Sequence, residues 1–174
     1  MLNSLQQYYS FTVTDGFKSG RRKLREKEKE GGERGMTVVT KELHIQTRGE
    51  VEIVDITERV NEALRESGVE NGIVTVFVPG STAAITTIEY EPGLLKDFPA
   101  ALERLFPKDI HYEHELRWHD GNGHSHVRAS FLGASLTVPF RAKRMLLGTW
   151  QQLVFVELDN KPRSRRVILQ IIGE

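Results

Sequence analysis

The sequence predicts a single α+β domain, with a largely antiparallel sheet and two helices packed on one face. Three observations lead there. Short runs of alternating apolar and polar residues dominate from Met36 onward, only two segments have helical period, and turn signals separate the extended runs. A chain of 174 residues is long enough for one well-packed core and short for two.

In chain order, VVTKELHIQT (38–47) and EVEIVDI (50–56) read as strands joined in a hairpin at Arg48–Gly49. TERVNEALRESG then puts Val60, Ala63 and Leu64 on one helical face, with Asp55 or Thr57 as N-cap and Gly68 at the left-handed C-cap position. GIVTVFVPG (72–80) is a nearly continuous β-branched run, as in a strand buried on both faces, and AAITTIEY (83–90) continues extended. PGLLKDFPAALERLF (92–106) supplies the second helix, bent or interrupted at Pro99. The last third reads as wholly extended, through HSHVRASFLG, SLTVPF, RMLLGTWQQLVFVELD and SRRVILQIIG. Both alternation faces of LVFVEL and VILQII are apolar, so something besides the helices must cover that sheet: a curled part of it or another subunit.

Composition narrows the function. With no cysteine, any metal must be held by imidazole and oxygen, and thiolate nucleophiles are excluded. No apolar run approaches the roughly 20 residues needed to cross a bilayer, and the first residues lack a secretory pattern, so the cytoplasm is the expected compartment. Absent cysteine also fits heat tolerance. Net charge is +0, yet residues 18–34 carry eight Lys or Arg against four Glu. Residues 1–35 are read as a basic extension, solvated rather than nucleic-acid binding, or as translated upstream sequence with Met36 as the true start. GGER just before Met36 is what a purine-rich ribosome-binding sequence would encode.

Residues 119–126, HDGNGHSH, hold three of the six histidines. A strand starting near His124 would set His124, His126, Arg128 and Ser130 on a polar face opposite Ser125, Val127, Ala129 and Phe131. The two imidazoles would then bind one divalent ion, zinc or magnesium, with His114 completing a facial set and the glycine turn returning His119 or Asp120 to the same point. Exposed turn histidines give the same spacing, so both readings stand. Gly80-Ser81-Thr82 sits where a buried strand breaks and offers N–H groups and hydroxyls to a phosphate, or is an ordinary bulge. Glu89 and Glu91 are a candidate acid/base pair. Trp150 and Gln151–Gln152, inside an apolar strand, mark a pocket or interface. Arg163 and Arg165 share one strand face, as a phosphate fork or as edge charge. There is no P-loop, dinucleotide fingerprint, nucleophile elbow or H-E-x-x-H.

In this order, GSTAAITTIE, Tyr112-Glu113-His114, DGNGHSHVRASFLGASLTVPF, LLGTWQQLVFVELD and PRSRRV resemble the YjbQ-like family, also called the secondary thiamine-phosphate synthase enzyme family. The resemblance runs from about Met36 to Glu174. It implies a homotrimeric α+β protein with a histidine-containing pocket near subunit contacts. It also implies a weak activity joining hydroxymethylpyrimidine diphosphate to hydroxyethylthiazole phosphate, with release of pyrophosphate. The small phosphorylated metabolite is the expected partner, with no membrane or nucleic acid. Glu89 matches the glutamate of the family's Thr-Ala motif, and His114 and His126 its recurrent histidines. Trp150, Gln151 and Arg163, Arg165 and Arg166 match C-terminal motifs. Many members carry His where this chain has Gly80. The expected catalytic residues are Glu89, His126 and Asp120. Ser81, Thr82, Trp150, Gln151, Arg163 and Arg165 are expected to bind substrate, and His114, His124 and His126 the metal. A metal-dependent hydrolase and a non-catalytic trimeric binding protein are the alternatives.

Overall fold

Two antiparallel sheets and four helices make up the computed structural model, which describes residues 35–174. The basic extension expected over residues 1–35 lies, apart from Gly35, outside the described residues. Strands are β1 (Thr37–Gln46), β2 (Glu52–Asp55), β3 (Asn71–Phe77), β4 (Ala83–Ile88), β5 (Ser135–Arg141), β6 (Arg144–Met145), β7 (Gln152–Glu157) and β8 (Ser164–Gly173). Helices are α1 (Thr57–Ser67), α2 (Leu94–Leu105), α3 (Glu115–Trp118) and α4 (Gly123–Leu132).

The α+β class is as predicted, but the layering differs. A five-stranded sheet has order β1-β8-β3-β5-β6, and a three-stranded sheet has order β2-β7-β4. Val74, Val76, Leu169 and Ile171 of the large sheet meet Ile85, Leu153 and Phe155 of the small one, with Val60 and Leu64 of α1 joining them. On the far face of the small sheet, Ala84, Val154 and Val156 pack against Leu102 of α2 and Ala129 of α4. LVFVEL is therefore apolar on both faces because it is the middle of three layers. Each such side chain taken fully out of water contributes about 1.5–3 kcal/mol.

The 38–56 hairpin does not form. β1 instead pairs with β8 along ten residues, from Thr37 opposite Gly173 to Gln46 opposite Ser164, while β2 pairs with β7 in the other sheet. A ten-rung ladder with the last strand outweighs four rungs with a neighbour. β3 is not buried on both faces within one chain: Val74 and Val76 are fully buried, but Ile73 and Phe77 are about 40% exposed on the outer side. LLGTWQ is not strand, since β7 begins at Gln152.

α1 follows its prediction. Asp55 Oδ1 accepts the Thr57 N–H at 2.8 Å, Val60, Ala63 and Leu64 are buried, and Gly68 ends the helix at φ 78°. α2 continues through Pro99, and its start is fixed by Glu91, whose carboxylate accepts the N–H groups of Gly93 and Leu94. Glu91 is thus spent on capping, and Glu89 beside it stands exposed.

The largest departure is HSHVRASFL, which is helix α4 and not strand. Its buried residues His124, Ser125, Arg128 and Ala129 recur at helical spacing, while Val127 and Phe131 face outward, Phe131 with 71% exposure. The buried face is largely polar, and the set on which the strand reading rested is split, with Ser125 and Ala129 buried and Val127 and Phe131 exposed.

Candidate functional site

α4 sorts the histidines. Successive helical residues are rotated by about 100°, so His124 and His126 point apart. His124, 1% exposed, turns inward and its Nε2 meets Glu50 Oε2 at 2.6 Å. Glu50 also pairs with Lys108 and lies 3.6 Å from Arg128, which is 2% exposed and donates to Glu103 and to the Phe106 carbonyl. Burial alone would raise the Glu50 carboxyl, but hydrogen bonds from Lys108 and His124 hold it below its ordinary value. His124 is therefore committed to a buried ionic network, apart from the other two expected metal ligands.

His126 turns the other way and stacks on His114, ring centroids 4.3 Å apart and planes inclined by 31°. Both rings line a cavity of about 600 Å³ with Tyr112, Val127, Ser130 and Phe131, a volume suited to a small metabolite. Burial pushes the His126 imidazole down, the neighbouring His114 lowers it further, and Asp120, Asp159 and Glu115 only partly offset this.

His114 comes from the turn before α3. At the end of α3, His119 takes a left-handed conformation (φ 51°) and Gly121 another (φ 66°), reversing the chain so that Asp120 faces back. Asp120 Oδ1 lies 3.6 Å and Glu115 Oε1 3.7 Å from His114 Nδ1, beyond hydrogen-bond reach. Nδ1 is a buried atom without a partner. Glu115 accepts N–H groups of Gly121 at 2.7 Å and Gly123 at 2.8 Å, which keeps its carboxyl below the ordinary value. His119 itself is exposed.

The β7–β8 turn abuts the same region. Asn160 Nδ2 donates to the Asp120 carbonyl at 3.0 Å, and its backbone N–H to Asn122 Oδ1 at 3.3 Å. There Arg165 holds fully buried Glu157 through two bonds, Nε at 2.8 Å and an Nη at 2.6 Å, and also bonds Thr82 Oγ1 at 2.9 Å. The Thr82 hydroxyl donates to Asp159 Oδ2 at 3.0 Å, and Arg163 reaches Asp159 at 2.9 Å. Burial would raise the Asp159 carboxyl, but Arg163 and Thr82 outweigh it and the net direction is down. Arg165 thus has its Nε and one Nη tied to its own chain, while Arg163 and Ser81 reach solvent. Gly80, at φ 145°, lets the backbone pass Arg165.

Of the predicted site residues, the structure gathers His114, His126, Asp120, Ser81, Thr82, Arg163 and Arg165 at one end of the small sheet. Glu89, Trp150 and Gln151 lie at the other end: β4 pairs Ala83 with Glu157 and Ile88 with Gln152, so its six residues separate the two groups by about 20 Å. Trp150 is 71% exposed, and Gln151 bonds the Gly148 N–H. Sequence reasoning missed Glu50, Glu115, Glu157 and Asp159. Only Asp159 had a signal, as the acid preceding the Asn-Lys-Pro turn.

The family model described as "UPF0047 protein YjbQ-like" matches residues 41–174. A UPF0047 protein of Methanothermobacter thermautotrophicus is 45% identical over 139 residues, 80% of this chain and 95% of that protein. Bacillus subtilis has one 36% identical, covering 76% and 98%. Among solved structures, a YbjQ-like protein of unknown function from Sulfolobus solfataricus superposes with TM-score 0.76 at 36% identity, covering 80% of this chain and all of that one. A YjbQ/UPF0047 protein from Clostridium acetobutylicum gives 0.69 at 37%, covering 75% and 98%. With the fold, the motif order and these matches in agreement, the chain belongs to the YjbQ-like UPF0047 family.

Proposed function

We propose that this protein condenses two small phosphorylated heterocycles with release of pyrophosphate, as in thiamine-phosphate synthesis. The observation that carries the reading is the stacked His114–His126 pair in a cavity whose other wall is aromatic and aliphatic, at the end of the sheet where Arg163 is solvent-accessible. Tyr112 and Phe131 suit a flat pyrimidine ring. In the proposed step the C–O bond from the pyrimidine methylene to diphosphate breaks, and its electron pair leaves with pyrophosphate. The thiazole nitrogen lone pair forms the new C–N bond. His126 takes a proton from the pyrimidine amino group and returns it, so none is consumed. Arg163, paired with Asp159 but with a side chain 45% exposed, balances charge on the departing pyrophosphate, since Arg165 is far more deeply buried against Glu157. Glu89, Trp150 and Gln151 have no part in chemistry at the histidines of their own chain.

A homotrimer belongs to the same proposal. Supporting it is the outer face of the large sheet, where Val38 of β1 and Ile73 and Phe77 of β3 are exposed on either side of β8.

The test is pyrophosphate and thiamine phosphate formation from hydroxymethylpyrimidine diphosphate and hydroxyethylthiazole phosphate. His126→Ala should lower the rate about 100-fold or more, the usual contribution of a positioned proton carrier. An unchanged rate in that variant overturns the assignment. Pyrophosphate released without the thiazole would turn the reading to hydrolysis.

A further inference from the structure

We propose that His114, Glu115 and Asp120 form a facial binding site for one divalent transition-metal ion of the zinc class, with its remaining coordination positions open to the cavity. The site is a different one from an H-x-H pair, because α4 commits His124 to Glu50.

The geometry carries this. One donor atom from each of the three residues lies within 4.8 Å of the others, among the described residues. A tetrahedral ion bound at about 2.0–2.2 Å holds its ligands roughly 3.3 Å apart. The 3.6 and 3.7 Å from His114 Nδ1 to the two carboxylates need only a few tenths of an ångström of closure. Nδ1 is also the one buried side-chain nitrogen or oxygen among the described residues without a hydrogen-bond partner. A ring nitrogen that is buried, unbonded and aimed between two acids has the surroundings of a ligand. The supporting contacts a metal site needs are already made: Gly121 and Gly123 N–H groups orient Glu115, the Asn122 N–H bonds Asp120 Oδ1 at 3.2 Å, and the His126 ring fixes the plane of His114. Each carboxylate oxygen keeps a second lone pair for the ion. One imidazole with two carboxylates favours zinc or a similar first-row ion over magnesium, and two negative charges match a divalent cation.

The inference goes beyond the condensation reading, and its test reads no activity. Full-length protein, stripped with a chelator and dialysed, is titrated with zinc chloride by calorimetry, and bound zinc is counted after gel filtration. One zinc per chain is expected. His114→Ala and Asp120→Asn should each weaken binding about 100-fold or more, while His111→Ala leaves it unchanged. Far-UV circular dichroism checks folding, and if His114→Ala does not fold, Asp120→Asn decides alone. Unchanged zinc affinity in the folded variants, or wild-type binding no tighter than theirs, overturns the site.

Discussion

Glu50 shows how one buried carboxylate links distant parts of the chain, since it meets His124 of α4, Lys108 and Arg128 at once. Removing Glu50 would take a carboxylate from beside the buried Arg128 guanidinium, which is why such a group is costly to disturb. The pH dependence follows from direction alone. His126 is held below its ordinary 6.5, so as pH falls through that value the unfolded chain takes up a proton that the folded chain does not. Glu50 and Asp159 are held below 4.5 and 3.8, so the folded state again binds fewer protons in the acid range. In every window stability falls as pH falls. Urea midpoints should therefore begin to drop below pH 6.5 and drop more steeply below 4.5, and His126→Gln should remove the first limb and keep the second. A midpoint flat from pH 7 to 5 in the wild type would contradict this.

At the scale of the element, α4 is where the sequence reading failed, and the cause is physical. A helix is recognised by apolar residues at its buried positions, and here Ala129 is the one buried apolar side chain beside His124, Ser125 and Arg128, of which His124 and Arg128 meet Glu50, Glu103 and the Phe106 carbonyl. The N-terminal cap is equally hidden, because it comes from Glu115, eight residues before Gly123. α1, with Val60, Ala63 and Leu64 inward and Gly68 at its end, was legible because its burial is apolar and its caps are adjacent. Gly123 ties α4 to the cavity: a Cβ there would lie 2.5 Å from Tyr112 Cβ. Gly123→Ala should thus cost about 1–3 kcal/mol by overpacking, despite alanine's better helix propensity, with urea unfolding as the measure. A gain in stability would show that Tyr112 does not seat against α4 this closely.

For the whole molecule, the outer face of the large sheet leaves Val38, Ile73 and Phe77 exposed to solvent. Thr40 bonds Gln170, and Thr75 bonds Thr137, so the polar groups between the apolar rows are paired with each other and present few free partners to water. If this face joins subunits, Phe77→Asp, at a side chain already 39% exposed, should leave the fold intact and convert the assembly to monomer. Light scattering after gel filtration reads the mass, and an unchanged mass would remove this face from the interface. The sequence by itself determined the α+β class, α1, α2, the doubly apolar character of LVFVEL and membership of the family, because these rest on local periodicity and motif order. Only the tertiary structure decided that β1 pairs with β8, that HSHVRASFL is helical, that His124 and His126 part company, and that His114 faces Glu115 and Asp120. Each of those depends on partners far along the chain, and a buried polar face has no apolar period from which a sequence could announce it.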